Sequence, residues 1–241
     1  MAQSPNASPG RLNGRIALIT GASRGIGAAV AREFVRQGAH VIVAARTQAA
    51  LEELDDDIKE PGGTATLVPM DVTDFDALDR MGAAIFERFG KLDILVGNAA
   101  ILGPLTPMHQ VDPGIWEDTI ATNLTANWRL LRSCDPLLRA SDAGRVILVT
   151  AEVGHTTKAY WGAYGVAKAG LESLAKTYAA EVTKTPIRVN LIDPGATRTR
   201  LRESAYPGED ARAIKTPEAA AAPFVELADQ ACARNGELVI L

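Results

Sequence analysis

Short apolar runs alternate along the chain with longer segments whose apolar positions recur at helical spacing. The runs Ile16–Thr20, His40–Ala44, Ala65–Val68, Leu92–Val96, Arg145–Val149, Arg188–Ile192 and Leu238–Leu241 are short, several are rich in Val and Ile, and most lack polar alternation. A strand buried on both faces reads this way. Helices are predicted over Ile26–Gln37, Gln48–Lys59, Asp74–Phe89, Asp112–Arg139, Tyr160–Thr183 and Pro217–Gln230. Asp112 and Thr216 each stand before a proline, the pattern of a side-chain cap with proline at the first helical position. Thr73, followed by Asp74 and Asp76, gives a weaker capping pattern. Strand–helix alternation repeated this often predicts a single-domain, doubly wound α/β fold, a parallel sheet with helices on both faces and right-handed crossovers.

Between the first strand and the first helix lies Gly21-Ala22-Ser23-Arg24-Gly25-Ile26-Gly27. In such a turn the first glycine permits the reversal, the second lets the backbone approach a pyrophosphate, and the third lets the helix pack against the strand. The helix N-terminus adds free amides and the positive end of a dipole. The turn therefore predicts a Rossmann-type dinucleotide site, spaced G-x-x-x-G-x-G rather than the commoner G-x-G-x-x-G. NAD sites place an acid about 20 residues beyond the glycines, on the ribose 2′-hydroxyl. Here the second strand runs out through Ala44-Ala45-Arg46 with no acid, and Arg24 sits within the turn. Guanidinium forks suit a 2′-phosphate, so the expected cofactor is NADP rather than NAD.

Composition adds exclusions. A chain of 241 residues, 47% hydrophobic and of net charge −4, fits one domain with a sizeable core. No basic excess points to nucleic acid, and no polybasic run points to a membrane surface. No apolar run approaches the roughly 18 residues that span a bilayer. Cys134 and Cys232 are far apart, without ligand spacing, and read as reduced core residues of a cytoplasmic protein; no metal site is visible. The Pro-, Ser- and Asn-rich start lacks a secretory pattern and predicts a disordered arm over 1–11, ahead of a domain over 12–241. Asp55-Asp56-Asp57 reads as a solvated helix face rather than a cation site.

Further motifs follow the glycine turn in order. Asp71-Val72 comes after the third strand and Gly97-Asn98-Ala99-Ala100 after the fourth. Asn123, Tyr164-x-x-x-Lys168, and Pro194-Gly195 with Thr197 and Thr199 complete the series. From about Leu12 onward the chain resembles the classical short-chain dehydrogenase/reductase family. The resemblance implies a Rossmann fold with one seven-stranded parallel sheet. It implies a cofactor site drawn from Gly21, Ser23, Arg24, Gly25, Ile26, Gly27, Arg46, Asn98, Ala99, Ala100, Pro194 and Gly195. Asp71 and Val72 would frame the adenine, and Thr197 and Thr199 would hold the nicotinamide end.

Tyr164 and Lys168 are four residues apart and share a helix face. A tyrosine near its reference pKa of about 10 is a poor base at neutral pH, and a neighbouring ammonium is expected to lower that value. Tyr164 would then exchange a proton with a carbonyl or alcohol oxygen while hydride moves to or from the nicotinamide. The resemblance adds Lys168 on the nicotinamide ribose and Asn123 in support of a proton-relay water. It also implies a serine, thirteen residues before the tyrosine, that bonds the substrate oxygen; position 151 is alanine. Losing one such donor costs about 10²–10³ in rate. Thr150, Glu152, Thr156 and Thr157 are the nearby side chains that stay open as replacements. Two readings follow. One is an NADP(H)-dependent oxidoreductase acting on a small-molecule carbonyl or alcohol, attenuated or with a substituted donor. The other is a catalytically weak or inactive NADP-binding sensor or structural protein.

A substrate pocket is expected at the carboxyl ends of the strands. Its candidate walls are Ile101, Leu102, Ala151, Val153, His155, Tyr160 and Trp161, with a lid between Ala196 and Asp210. Arg198, Arg200 and Arg202 in that lid read as solvated, with an anionic substrate as the alternative. The two long predicted helices carry many small and apolar residues, and the resemblance implies that they pair subunits into a homodimer or homotetramer.

Overall fold

Strand β1 (Ile16–Thr20) is apolar up to its last residue, Thr20, because both of its faces are covered. Alternate side chains go to opposite sides: Ala17 and Ile19 join one core, Leu18 the other. The computed structural model describes residues 10–59 and 62–241. In it β1 lies within a seven-stranded parallel sheet of order β3-β2-β1-β4-β5-β6-β7. The other strands are β2 (His40–Ala45), β3 (Ala65–Pro69), β4 (Ile94–Gly97), β5 (Arg145–Val149), β6 (Arg188–Asp193) and β7 (Leu238–Ile240). Strand β4 starts two residues later than its apolar run, because pairing begins only where Ile94 meets Arg145 of β5. The two edge strands, β3 and β7, are only half-buried.

Helices α1 (Gly25–Arg36), α2 (Gln48–Lys59) and α8 (Pro217–Ala228) pack Phe34, Leu51 and Phe224 onto one face. On the other, α3 (Phe75–Phe89), α5 (Ala126–Arg139) and α6 (Gly162–Glu181) pack Leu78, Leu130 and Leu171. The order reverses between β1 and β4, and a crevice opens beyond their carboxyl ends, where open α/β sheets bind ligands.

Several expectations need correction. The helix predicted over Asp112–Arg139 is α4 (Pro113–Ile120), a π-helical turn (Ala121–Thr125) and α5. Asp112 and Thr216 cap as expected, but α3 is capped by Asp74, which accepts from Ala77 N; Thr73 instead donates to Asp71. The expected lid contains a short helix, α7 (Arg200–Ala205). Asp55 is buried against Lys59 rather than solvated, and Cys232 is half-buried while Cys134 is in the core. Of the expected arm, residues 1–9 lie outside the described residues; Arg11 is already held, with its Nε 2.6 Å from Asp229 Oδ2. Among the described residues no helix is long and apolar enough to cross a membrane.

Candidate active site

A cleft of about 1120 Å³ is lined by the chain that follows β1 to β6. The glycine turn forms its floor. Gly21 has φ +65°, and a Cβ on it would fall 2.8 Å from Ala99 Cα. A Cβ on Gly27 would fall 2.5 Å from the Gly21 carbonyl, so Gly27 sits behind the lining, packed on the turn itself. Asn98 locks this contact: its Nδ2 donates to Thr20 O (2.9 Å) and Gly21 O (3.2 Å). Thr20 Oγ1 in return accepts from the amides of Asn98 and Ala99. Helix α1 begins at Gly25 with no side-chain cap and no acid in its first turn. Its leading amides therefore face the cleft without an intrahelical partner, which suits an anion. A turn with no room for a side chain and a helix start with free donors together fit a dinucleotide's phosphates.

Ser23, Arg24, Gly25, Ile26, Arg46, Asp71, Val72, Asn98, Ala99, Ala100, Pro194 and Gly195 all line the cleft, as expected of a cofactor site. Arg24 is exposed, and Arg46 Nη1 stands 3.8 Å from Asp71 Oδ2. Burial alone would raise the Asp71 carboxyl, but the Thr73 amide and hydroxyl and the Arg46 charge outweigh it and hold the group below its ordinary value. Thr197 and Thr199 also line the cleft, yet both oxygens already serve the backbone: Thr197 donates to Pro194 O, and Thr199 accepts from Arg202 N to cap α7.

Tyr164 and Lys168 stand one turn apart on α6, 6% and 2% exposed. Lys168 Nζ donates to Val149 O at 2.6 Å and lies 5.6 Å from the Tyr164 ring centre. Burial pulls the Lys168 ammonium down to about 8, with Asp193 opposing. The expected lowering of Tyr164 is not found: burial, reinforced by Asp193, pushes its hydroxyl above the ordinary value. Asn123 lies in the π-turn, fully buried and behind the cleft wall. Its side chain accepts from Ile101 N (3.0 Å) and donates to Ile101 O (2.8 Å), pinning the loop after β4.

Ala151 is extended (φ −158°) and lines the cleft. The Thr150 hydroxyl points the other way, onto Glu172 Oε1 at 2.8 Å, and Thr156 donates to Glu152 O. Neither lines the cleft with a free hydroxyl, and Thr157 does not line it; Glu152 does. Val153, Trp161 and Ile101 line the substrate end, whereas Leu102 and Tyr160 do not. His155 is a correction: it lies outside the lining, with Nδ1 3.0 Å from Glu172 Oε1. In the lid, Arg198 donates to Ala211 O and Arg202 pairs with Glu209, leaving Arg200 exposed at the cleft. Tyr206, at the end of α7, packs 5.8 Å from the Trp161 ring. Tyr206 and Asp193 are cleft residues that the sequence reading missed. Asp193 had a signal, since it ends a strand just before Pro194-Gly195.

The family model described as short chain dehydrogenase matches residues 15–210. The uncharacterized oxidoreductase YciK of Escherichia coli K12 is 35% identical over 209 residues, covering 86% of this chain and 82% of its own. A short chain dehydrogenase structure from Pseudomonas syringae superposes with a TM-score of 0.94 at 36% identity, covering 98% of this chain and 97% of its own. One from Shigella flexneri 2a, complexed with NADP, gives 0.93 at 33% identity, covering 97% and 99%.

Proposed function

The chain belongs to the short chain dehydrogenase family, and on that footing we propose that it is an NADP(H)-dependent oxidoreductase acting on a small-molecule carbonyl or alcohol. The observation that carries this reading is that Tyr164 lines the same cleft as the glycine cradle, with Lys168 one helical turn beyond it. When bound, the nicotinamide supplies or accepts the hydride. The amides at the start of α1 hold the pyrophosphate, and the Arg24 and Arg46 forks hold the 2′-phosphate. Tyr164 gives its hydroxyl proton to the carbonyl oxygen in reduction and takes it back in oxidation. Lys168 keeps a positive charge near the phenolate that reduction leaves, and Asn123 acts by fixing the Ile101 loop. The NADP complex of the Shigella flexneri relative, which matches this chain along nearly its full length, supports the choice of cofactor.

Ala151 favours a second reading, a protein that binds NADP but turns over weakly, because no hydroxyl stands at that position. One experiment decides between them: NADPH oxidation across a panel of carbonyl compounds by wild type, Ala151→Ser and Tyr164→Phe. Turnover by wild type, abolished in Tyr164→Phe and raised about a hundredfold in Ala151→Ser, is the expected result, since one positioned donor is worth about 10²–10³. Tight NADPH binding with no turnover by wild type at high enzyme concentration overturns the enzyme reading. Self-association through α5 and α6, which expose Trp128 and Val166, is part of the proposal and is measured by sedimentation.

A further inference from the structure

Beside the Tyr164–Lys168 pair, between the cleft wall at Asp193 and the outer surface, ionisable groups from three elements meet. Glu172, one turn beyond Lys168 on α6, is 4% exposed; its Oε1 accepts from Thr150 at 2.8 Å and stands 3.0 Å from His155 Nδ1. Asp193, at the end of β6, is also 4% exposed; its Oδ1 accepts from Gly195 N at 2.8 Å, and its Oδ2 lies 3.7 Å from His155 Nε2. His155 thus turns one ring nitrogen toward each buried carboxylate. Gly154 makes room for this, since a Cβ there would fall 2.6 Å from Glu172 Oε1 and 2.7 Å from Thr150 Oγ1. The other charged groups nearby are Lys176 on α6, with Nζ 3.8 Å from Glu172 Oε2, and the exposed Glu152 in the same turn as His155. Lys168 and Tyr164 belong to the same neighbourhood through Asp193, whose charge acts on both. A shallow depression bounded by Gly154, His155, Glu172 and Lys176 opens the cluster to solvent.

Carboxylate oxygens only accept hydrogen bonds. Nδ1 needs its hydrogen to donate to Glu172 Oε1 at 3.0 Å, and Nε2, 3.7 Å from Asp193 Oδ2, is at ion-pair distance from the second carboxylate, a pairing that requires the imidazolium. Two buried carboxylates also call for compensating charge; Lys176 reaches Glu172 from the surface and Lys168 feels Asp193, and His155 is the group placed between the two carboxylates. We propose that His155 is a positioning residue: as an imidazolium bridging Asp193 and Glu172, it tempers the negative charge beside Tyr164 and Lys168 and so sets the pH at which that pair works. The kinetic consequence rests on the hydride-transfer reading; the charge state itself is measured without turnover.

The first measurement uses the wild-type full chain. The chain has three histidines, so ¹⁵N imidazole spectra assigned with His40→Gln and His109→Gln identify His155. Both ring nitrogens protonated from neutral pH up through the Lys168 midpoint is the expected result, and a neutral tautomer within that range overturns the proposal. The second follows Lys168 by NMR of lysine labelled at ¹³Cε, assigned with Lys168→Met. In His155→Gln its midpoint, about 8 in wild type, rises by about half a pH unit, roughly threefold in the ammonium-to-amine ratio. In His155→Lys, which keeps the charge, it returns. A midpoint unmoved in His155→Gln, or moved equally in His155→Lys, overturns the proposal. In the pH profile of kcat/KM the alkaline limb shifts upward in His155→Gln alone. Both NMR results without turnover on any carbonyl leave the bridge standing and sink the hydride-transfer reading instead.

Discussion

At the scale of single residues, the site is defined by where a methyl group fits and where a hydroxyl points. Gly27 has no space for a side chain: its Cβ would meet Gly21 O at 2.5 Å and Asn98 Nδ2 at 2.6 Å, the first of which is backbone. Gly27→Ala is therefore expected to destabilise the chain by about 1–3 kcal/mol through overpacking. It should also weaken NADPH binding at least tenfold, because the turn and the start of α1 shift together. Gly208→Ala, where a Cβ meets nothing within 4 Å, is the matched control and should leave both unchanged. Chemical denaturation and fluorescence titration with NADPH read the pair. The glycine positions were legible in the sequence because their spacing carries the constraint. The fate of the hydroxyls near Ala151 was not, since a single register step decides it: Thr150 turns to Glu172 and Ala151 to the cleft.

At the scale of elements, the seven strands and the main helices follow from the alternation of apolar runs and amphipathic segments, whereas the strand order, with its switch between β1 and β4, depends on long-range pairing that no local pattern carries. The π-turn at Ala121–Thr125 left no trace in the sequence, because an extra residue in one turn barely disturbs the apolar period around it. Helix α7 is equally hidden: six residues are too few to show a period, and the resemblance assigns its cap, Thr199, to the cofactor instead. The burial that pushes Tyr164 up was hidden too, since it comes from packing of α6 against the sheet rather than from Lys168 four residues away. The π-turn nevertheless has a measurable role. It sets Asn123 facing Ile101, where one side chain satisfies both the amide and the carbonyl of that residue. Asn123→Ala leaves both groups without that partner, at an expected cost of about 2 kcal/mol, since buried polar groups left unpaired cost about 1–3 kcal/mol each and some solvent reaches the loop. The same change frees the loop after β4, so KM for the carbonyl substrate should rise more than KM for NADPH. Equal rises in the two constants would show that the clamp serves the whole cleft rather than its substrate end.

At the scale of the whole molecule, the two edges of the sheet carry opposite duties. The amino edge is tied shut. Arg15, just before β1, is buried and donates to the carbonyls of Ala228 (2.7 Å), Asp93 (3.0 Å) and Ala143, joining the end of α8 to the starts of β4 and β5. The carboxyl edge keeps its buried cation at the cleft, with a single carbonyl partner in place of Arg15's three. Lys168, pulled by burial from 10.5 to about 8, is a group whose folded state disfavours the proton. Below about pH 8 both states hold that proton and folding bears the full cost, about 3 kcal/mol at 1.36 kcal/mol per unit. Between about 8 and 10.5 only the unfolded chain holds it, so the cost fades, and above 10.5 it is gone. Lys168→Met should therefore raise the unfolding free energy at pH 7 by about 1–2 kcal/mol, since Val149 O loses its donor and returns about 1 kcal/mol. The gain should shrink as pH rises through that window, and activity should be lost throughout. Arg15→Met is expected to do the reverse. It leaves the Ala228 and Ala143 carbonyls without their donor and lowers stability by about 3 kcal/mol, while kcat/KM below the melting temperature stays at the wild-type value. If Lys168→Met instead loses stability at pH 7, or Arg15→Met changes kcat, the division between a tied edge and a working edge does not hold.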